Sequence, residues 1–339
     1  MKSKDLEKAL TAFLSERSGE DVTVTGFVRM AGGASRAIYG FDARIGDEEH
    51  SLVLRMDAMS PALQAQSRDE FALLGVARER GVTVPRVYWD GDQSAGLGSK
   101  FFIMDRVRGE AIARKLLRDD AYAATRECLP EELARELARI HAIPVSDERL
   151  VFLESLSVAG PTEEVARYID VLDALGGGHP QPVLRFVARW LAHNAPTPTS
   201  RALVHGDFRI GNIMFDEQGL TSVLDWELAH FGDSMEDLGW LCVRAWRFGV
   251  DDQPVGGLCD RERLFEAYER EGGVSVDPAA VRYWEILGNW KWAVMCVMQA
   301  GRRNDGSYPD IELAAIGRRI ADSEWEALSL LEEDLRSAG

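Results

Sequence analysis

No lysine occurs between Lys8 and Lys100. Cysteine is also sparse. Cys128, Cys242, Cys259 and Cys296 stand far apart with no CxxC pair, which excludes a disulfide framework or a zinc ribbon and leaves reduced core thiols. Long apolar runs are missing too. The most apolar late stretch, Trp292 to Met298, is far shorter than the roughly 20 residues needed to cross a bilayer. The opening MKSKDLEKALTAFLSERSG carries charge throughout, so it reads as an amphipathic helix rather than a signal peptide, and a cytoplasmic protein is expected. Positive charge is in deficit: 39 Lys and Arg against 56 Asp and Glu give a net −17. That balance argues against a nucleic-acid partner or an anionic membrane, both of which normally require a basic face. No internal repeat or low-complexity tract appears, and nothing in the pattern speaks to oligomeric state.

What is present suits a folded protein of two lobes: 339 residues, 46% of them hydrophobic. Alternation predicts strands at Val22–Val28, Ala37–Arg44 and His50–Arg55, with Gly46-Asp47 turning between the second and third. A helix is expected over about 66–80, then strands at Arg86–Trp89 and Lys100–Met104 around a turn-rich stretch. After Gly109 helical periodicity takes over. Leu133, Leu137 and Ile140 form one stripe, and helices are expected near 162–175, 181–194, 235–247, 260–271, 279–300 and 310–335. One short β region interrupts them, Ala202 to Asp225, with Asp216-Glu-Gln-Gly219 as its turn. The expected division is an N-terminal lobe over 1–107 and a helical C-terminal lobe over 108–339, with a cleft as the natural site.

The chemistry concentrates in His205-Gly-Asp-Phe-Arg-Ile-Gly-Asn212, followed thirteen residues later by Asp225-Trp-Glu227. Phosphoryl transfer needs a carboxylate near the attacking hydroxyl, hard oxygens for magnesium, and cations on the phosphates. Asp207 on a loop past a strand can face a cleft. The hairpin is expected to fold Asp225 back beside Asn212, giving two oxygen donors of the kind magnesium takes. An alternative is an Asp-rich hairpin loop whose carboxylates merely cap turns.

The Asp-x4-Asn spacing with a later Asp resembles a kinase catalytic loop and its metal-binding Asp. His-Gly-Asp in place of the usual first triplet is similar to the aminoglycoside phosphotransferase family, which also covers choline, macrolide and other small-molecule kinases. The resemblance spans about residues 25–330 and implies an α+β, bilobal protein-kinase-like fold with a small antiparallel-sheet N-lobe and a mostly helical C-lobe. It implies Asp207 as catalytic base, with Asn212 and Asp225 on Mg2+. Ala31-Gly-Gly-Ala-Ser35 resembles the phosphate-covering loop, through Gly32, Gly33 and Ser35. Arg55 in Leu-Val-Leu-Arg stands where the family has its phosphate-contacting lysine, with Glu70 as its partner; arginine keeps the charge but binds phosphate as a fork. Phe101-Phe-Ile-Met-Asp-Arg-Val107 resembles the hinge, so Met104 would border the base of ATP (GTP is equally compatible) while the backbone of Asp105 and Val107 bonds it.

Arg209, two residues past Asp207, takes the position of a cation that reaches the transferred phosphate. Together with Leu-Asp-Trp-Glu-Leu-Ala and Gly-Asp-x3-Asp-Leu-Gly-Trp240 it is similar to the branch containing the kinase-like domains fused to some acyl-CoA dehydrogenases, whose acceptors are hydroxyacyl-CoA thioesters. An aminoglycoside or other antibiotic acceptor is the alternative within the enzyme class. A nucleotide-binding pseudokinase is the alternative outside it, motivated by the missing lysine. Glu227 is a candidate acceptor contact or a structural pair. Asp233-Ser-Met-Glu236 reads as a capping box, Asp237 as a brace for the loop or as helix-end charge compensation, and His141 as a satisfied core histidine.

Overall fold

The computed structural model describes residues 3–30, 36–57, 66–156, 160–174, 181–198, 201–272, 275–304 and 315–337. The chain divides into two compact units. One comprises residues 1–109 with 146–152 and 221–227; the other comprises 110–145, 153–220 and 228–339.

The first unit carries a five-stranded antiparallel sheet, order β1-β2-β3-β5-β4. Its strands are β1 (Val22–Arg29), β2 (Arg36–Ile45), β3 (Glu48–Asp57), β4 (Val87–Gly91) and β5 (Phe101–Asp105). Helix α1 (Ser3–Ser18) buries Leu6, Leu10, Phe13 and Leu14, a helical spacing, against Phe41, Leu52, Leu54 and Phe101 of the sheet. Helix α2 (Gln66–Glu79) contacts β4 and β5. Strand β4 reaches Gly91, further than the alternation at 86–89 suggested, because its pairing with β5 shifts register between Val87 and Trp89.

The second unit is mainly helical, so the α+β division expected from the periodicity is the observed one. Its helices are α3 (Ala113–Arg118), α4 (Ala123–His141), α5 (Pro161–Ala174), α6 (Pro182–His193), α7 (Met235–Leu241), α8 (Arg261–Gly272), α9 (Pro278–Asn304) and α10 (Ile320–Ser337). On α4, Leu129, Leu133, Leu137 and Ile140 are fully buried. Strands β6 (Ala202–Val204) and β9 (His230–Gly232) pair antiparallel; β7 (Ile213–Asp216) and β8 (Gly219–Val223) form a short ribbon.

Two sequence expectations need correction. The helix anticipated over 235–247 stops at Leu241, because the Arg247 guanidinium folds back to donate to Cys242 O at 2.8 Å and the Arg244 N–H goes to Asn289 Oδ1 at 3.3 Å. Glu236 closes no capping box either. It is buried and pairs with His230 Nε2 at 3.2 Å, while Asp233 Oδ1 accepts the Met235 N–H.

Candidate active site

Strand β6 delivers the chain into His205-Gly206-Asp207. Gly206 has φ +78°, and a Cβ there would lie 2.4 Å from Leu228 O, so this turn accepts glycine alone. Its backbone is held from below. Asp237 on α7, fully buried, accepts the N–H of His205 at 2.8 Å and of Gly206 at 2.9 Å. His141 Nε2 lies 3.1 Å from the same carboxylate, and its Nδ1 lies 2.8 Å from the Tyr268 hydroxyl. The assignment that satisfies both is an Nε2–H tautomer accepting from Tyr268 at Nδ1. Burial works against the charge on Asp237, yet the hydrogen bonds from the His141 ring and the His205 backbone hold its carboxyl below the ordinary value. Of the two roles considered for Asp237, bracing the loop is the one its contacts perform.

Asp207 is saturated with donors. Asn212 Nδ2 donates to Oδ2 at 2.6 Å and to the Asp207 carbonyl at 3.0 Å. Arg209 Nε straddles the carboxylate at 3.0 and 3.2 Å, and Trp240 Nε1–H donates to Oδ1 at 2.9 Å. The Asp207 N–H donates to His205 Nδ1 at 3.2 Å. The Arg209 guanidinium lies 4.7 Å from the centre of the Trp246 ring, so a face of this cation rests on an aromatic ring while its Nε–H edge meets the carboxylate.

A second set assembles in the first unit. On β3, Arg55 stands opposite Ile38 of β2 and Phe102 of β5. Its Nη1 lies 2.8 Å from Glu70 Oε1 on α2, and its Nη2 lies 3.9 Å from Asp225 Oδ1. Glu70 is 4% exposed and Arg55 12%, while Asp225 is 40% exposed. Arg55 Nε is buried with no hydrogen-bond partner. Asp225 adopts φ +64°, a left-handed conformation uncommon outside glycine, which concentrates at functional sites. Buried Trp226 follows it, and the Val223 N–H preceding it donates to Thr83 O at 2.8 Å.

Thus Asp207, Arg209 and Asn212 converge in one unit, and Arg55, Glu70 and Asp225 converge in the other. Glu227 is exposed beside Asp225 in sequence. Met104, Asp105 and Val107 are half-buried on and after β5. The Asp105 N–H is given to Arg86 O at 2.9 Å. Gly32, Gly33 and Ser35 lie outside the described residues.

The donor chemistry fits magnesium. In one unit the Asn212 amide nitrogen is committed to Asp207, which leaves its oxygen as a hard donor; in the other unit the Asp225 carboxylate is likewise a hard donor. Among the described residues no three of His, Cys, Asp and Glu gather around one point, but magnesium held between phosphates and one or two protein oxygens needs no such cage.

Sequence reasoning passed over Trp240 as a contact of Asp207. Its signal was present in Asp-Leu-Gly-Trp240, which also contains Asp237, but a tryptophan beside apolar neighbours on a helix reads as core.

This geometry and fold define a kinase-like phosphotransferase. The model of the phosphotransferase enzyme family matches residues 31–274, and the chain belongs to that family of small-molecule kinases. Probable acyl-CoA dehydrogenase IBR3 of Arabidopsis thaliana is 26% identical over 330 residues, covering 89% of this chain and 39% of the plant protein. Human acyl-CoA dehydrogenase family member 11 is 27% identical over 227 residues, covering 62% of this chain and 27% of its own. The chain therefore spans well under half the length of either relative. Among solved structures, a Ralstonia eutropha protein assigned to the aminoglycoside phosphotransferases superposes with TM-score 0.75 at 20% identity, covering 96% of this chain and 98% of that one. A macrolide 2'-phosphotransferase from Brachybacterium faecium gives 0.60 at 20% identity, covering 93% and 97%. The fold is the protein-kinase-like one expected. Among the described residues no helix is long and apolar enough to cross a membrane.

Proposed function

We propose that this chain transfers the γ-phosphate of ATP, or of GTP equally, to a hydroxyl group of a small molecule. The observation that carries the reading is Asp207. Its carboxylate is fixed by Asn212, Arg209 and Trp240 on a loop whose backbone is tied to a buried Asp. A base so restrained can accept the hydroxyl proton late in transfer without first reorganising. Arg209, paired with Asp207 at rest, would leave it for the moving phosphoryl group, and Arg55, paired with Glu70, would hold the phosphates of the nucleotide. Asn212 and Asp225 would hold Mg2+, which when bound offsets charge on the phosphate oxygens. The Gly32-Gly33-Ser35 loop would cover the phosphates, while Met104, the Asp105 carbonyl and Val107 frame the base, and Glu227 meets the acceptor. In this reading residues 1–107 serve the nucleotide and residues 108–339 the chemistry and the acceptor.

For the acceptor, a hydroxyacyl-CoA thioester is the reading favoured by the likeness to relatives named as acyl-CoA dehydrogenases. The arginine in place of the lysine motivates a second reading, a nucleotide-binding module without transfer. Incubation with Mg-ATP and a metabolite extract, followed by mass spectrometry, separates them. A species gaining one phosphoryl mass with the wild type and not with Asp207→Asn supports the kinase. Magnesium-dependent ATP binding with no phosphorylated species supports the second reading. A phosphorylated aminoglycoside, with raised drug tolerance in a sensitive host, would keep the kinase and replace the acceptor.

A further inference from the structure

Of the three side-chain donors to Asp207, Trp240 alone has no second task in the proposed chemistry. We propose that it is a positioning residue for transfer, its indole N–H fixing the carboxylate so that the lone pair Arg209 gives up faces the acceptor hydroxyl; this rests on the reading of Asp207 as base.

The other two donors have second tasks in that reading. Arg209 must follow the phosphoryl group, and Asn212 turns its oxygen to the metal. The indole has no alternative. Its nitrogen donates only, carries no charge, and cannot compete for the proton that Asp207 takes up. With Oδ2 held by Asn212 at 2.6 Å and Oδ1 by Trp240 at 2.9 Å, rotation of the carboxylate is blocked even when Arg209 leaves.

The ring itself is held firmly. Helix α7 lies so close to α9 that a Cβ at Gly239 would come 2.6 Å from Trp284 Cβ, which fixes the backbone beside Trp240. Trp240 is 5% exposed and packs on Trp246 with ring centres 5.4 Å apart. Lys291 Nζ lies 5.3 Å from its ring centre, and that ammonium is anchored on α5 by Glu164 Oε1 at 2.5 Å. Glu164 and Lys291 are both nearly inaccessible to solvent. A desolvated cation against the π-face draws electron density from the indole and strengthens its N–H as a donor. The sequence from Glu164 through Lys291 and Trp240 to Asp207 thus runs from a buried anion to the base, with each contact made between side chains on different elements.

The test removes the N–H while keeping the shape. Replacing Trp240 by 3-benzothienylalanine puts sulfur where the nitrogen stood, and Trp240→Phe serves as the ordinary variant. Transfer of label from γ-labelled Mg-ATP into a fixed metabolite extract gives kcat and the KM for ATP, and thermal unfolding reports folding. The expected result for the isostere is a kcat lowered about 10- to 100-fold, as befits a lost hydrogen bond to a charged group, with KM for ATP within about twofold and an unchanged melting temperature. An isostere that keeps wild-type kcat while Asp207→Asn is inactive would show that Trp240 only packs. An isostere that loses kcat together with its melting temperature would also overturn the proposal. No transfer by the wild type, or full transfer by Asp207→Asn, would remove the kinase reading itself and this inference with it.

Discussion

Asp207 and Asp225 are both carboxylates on loops next to short strands, and the fold treats them in opposite ways. Asp207 is 14% exposed and receives hydrogen bonds from Asn212, Arg209 and Trp240. Asp225 is 40% exposed, sits in a left-handed conformation, and has Arg55 at 3.9 Å. In the proposed kinase reading the first stands still while a proton arrives, and the second keeps its oxygens available to share a small, strongly hydrated cation with phosphates. In that reading preorganisation serves the group that reacts and availability the group that binds.

If that contrast is right, the largest effect comes from the restrained carboxylate. Asp207→Asn should lower turnover about 100- to 10,000-fold, the range for general-base help, measured as label transfer from γ-labelled ATP. Next comes the brace beneath it. Asp237→Ala leaves the His205 and Gly206 N–H groups buried without an acceptor and strips His141 of its partner, so chemical denaturation should show a loss of about 3–5 kcal/mol. The native carboxyl of Asp237 titrates lower than in the unfolded chain. Its contribution is therefore complete above about pH 4 and disappears as acid protonates the folded form.

A smaller effect is expected at His230, on the strand paired with β6. Burial opposes its charge, but Glu236 at 3.2 Å, with help from Glu164, raises its pKa to about 9. A raised histidine pKa stabilises fully below about pH 6.5 and loses that stabilisation as pH rises through about 9. Wild type should exceed His230→Gln by about 2–3 kcal/mol at pH 6, and the gap should close by about pH 10. A gap independent of pH would mean that the ring contributes by packing and not by charge.

Legibility in the sequence followed the range of each interaction. Asp207, Arg209 and Asn212 could be proposed because six residues of one loop carry all three, so local spacing encodes their meeting. Arg55 and Glu70 are named only through the family resemblance, as the residue in place of the usual lysine and its partner on the next helix. The strands and most helices of both units follow from period-2 and period-3.6 patterning. The contacts that escaped are those joining distant segments: Trp240 to Asp207, Lys291 to Glu164, His230 to Glu236, and His141 to Tyr268. Each pair is ordinary in local context, and only tertiary packing brings its members together. The premature end of α7 escaped for the same reason, since it is set by Arg247 reaching back to a carbonyl that no propensity marks.

The contrast between the two carboxylates is tested most directly by measuring the Mg-ATP dissociation constant of Asp207→Asn and Asp225→Asn side by side. The account predicts that Asp207→Asn binds within about twofold of wild type, whereas Asp225→Asn weakens binding about tenfold, the loss of one charged ligand. Equal weakening in both, or the reverse order, would contradict it.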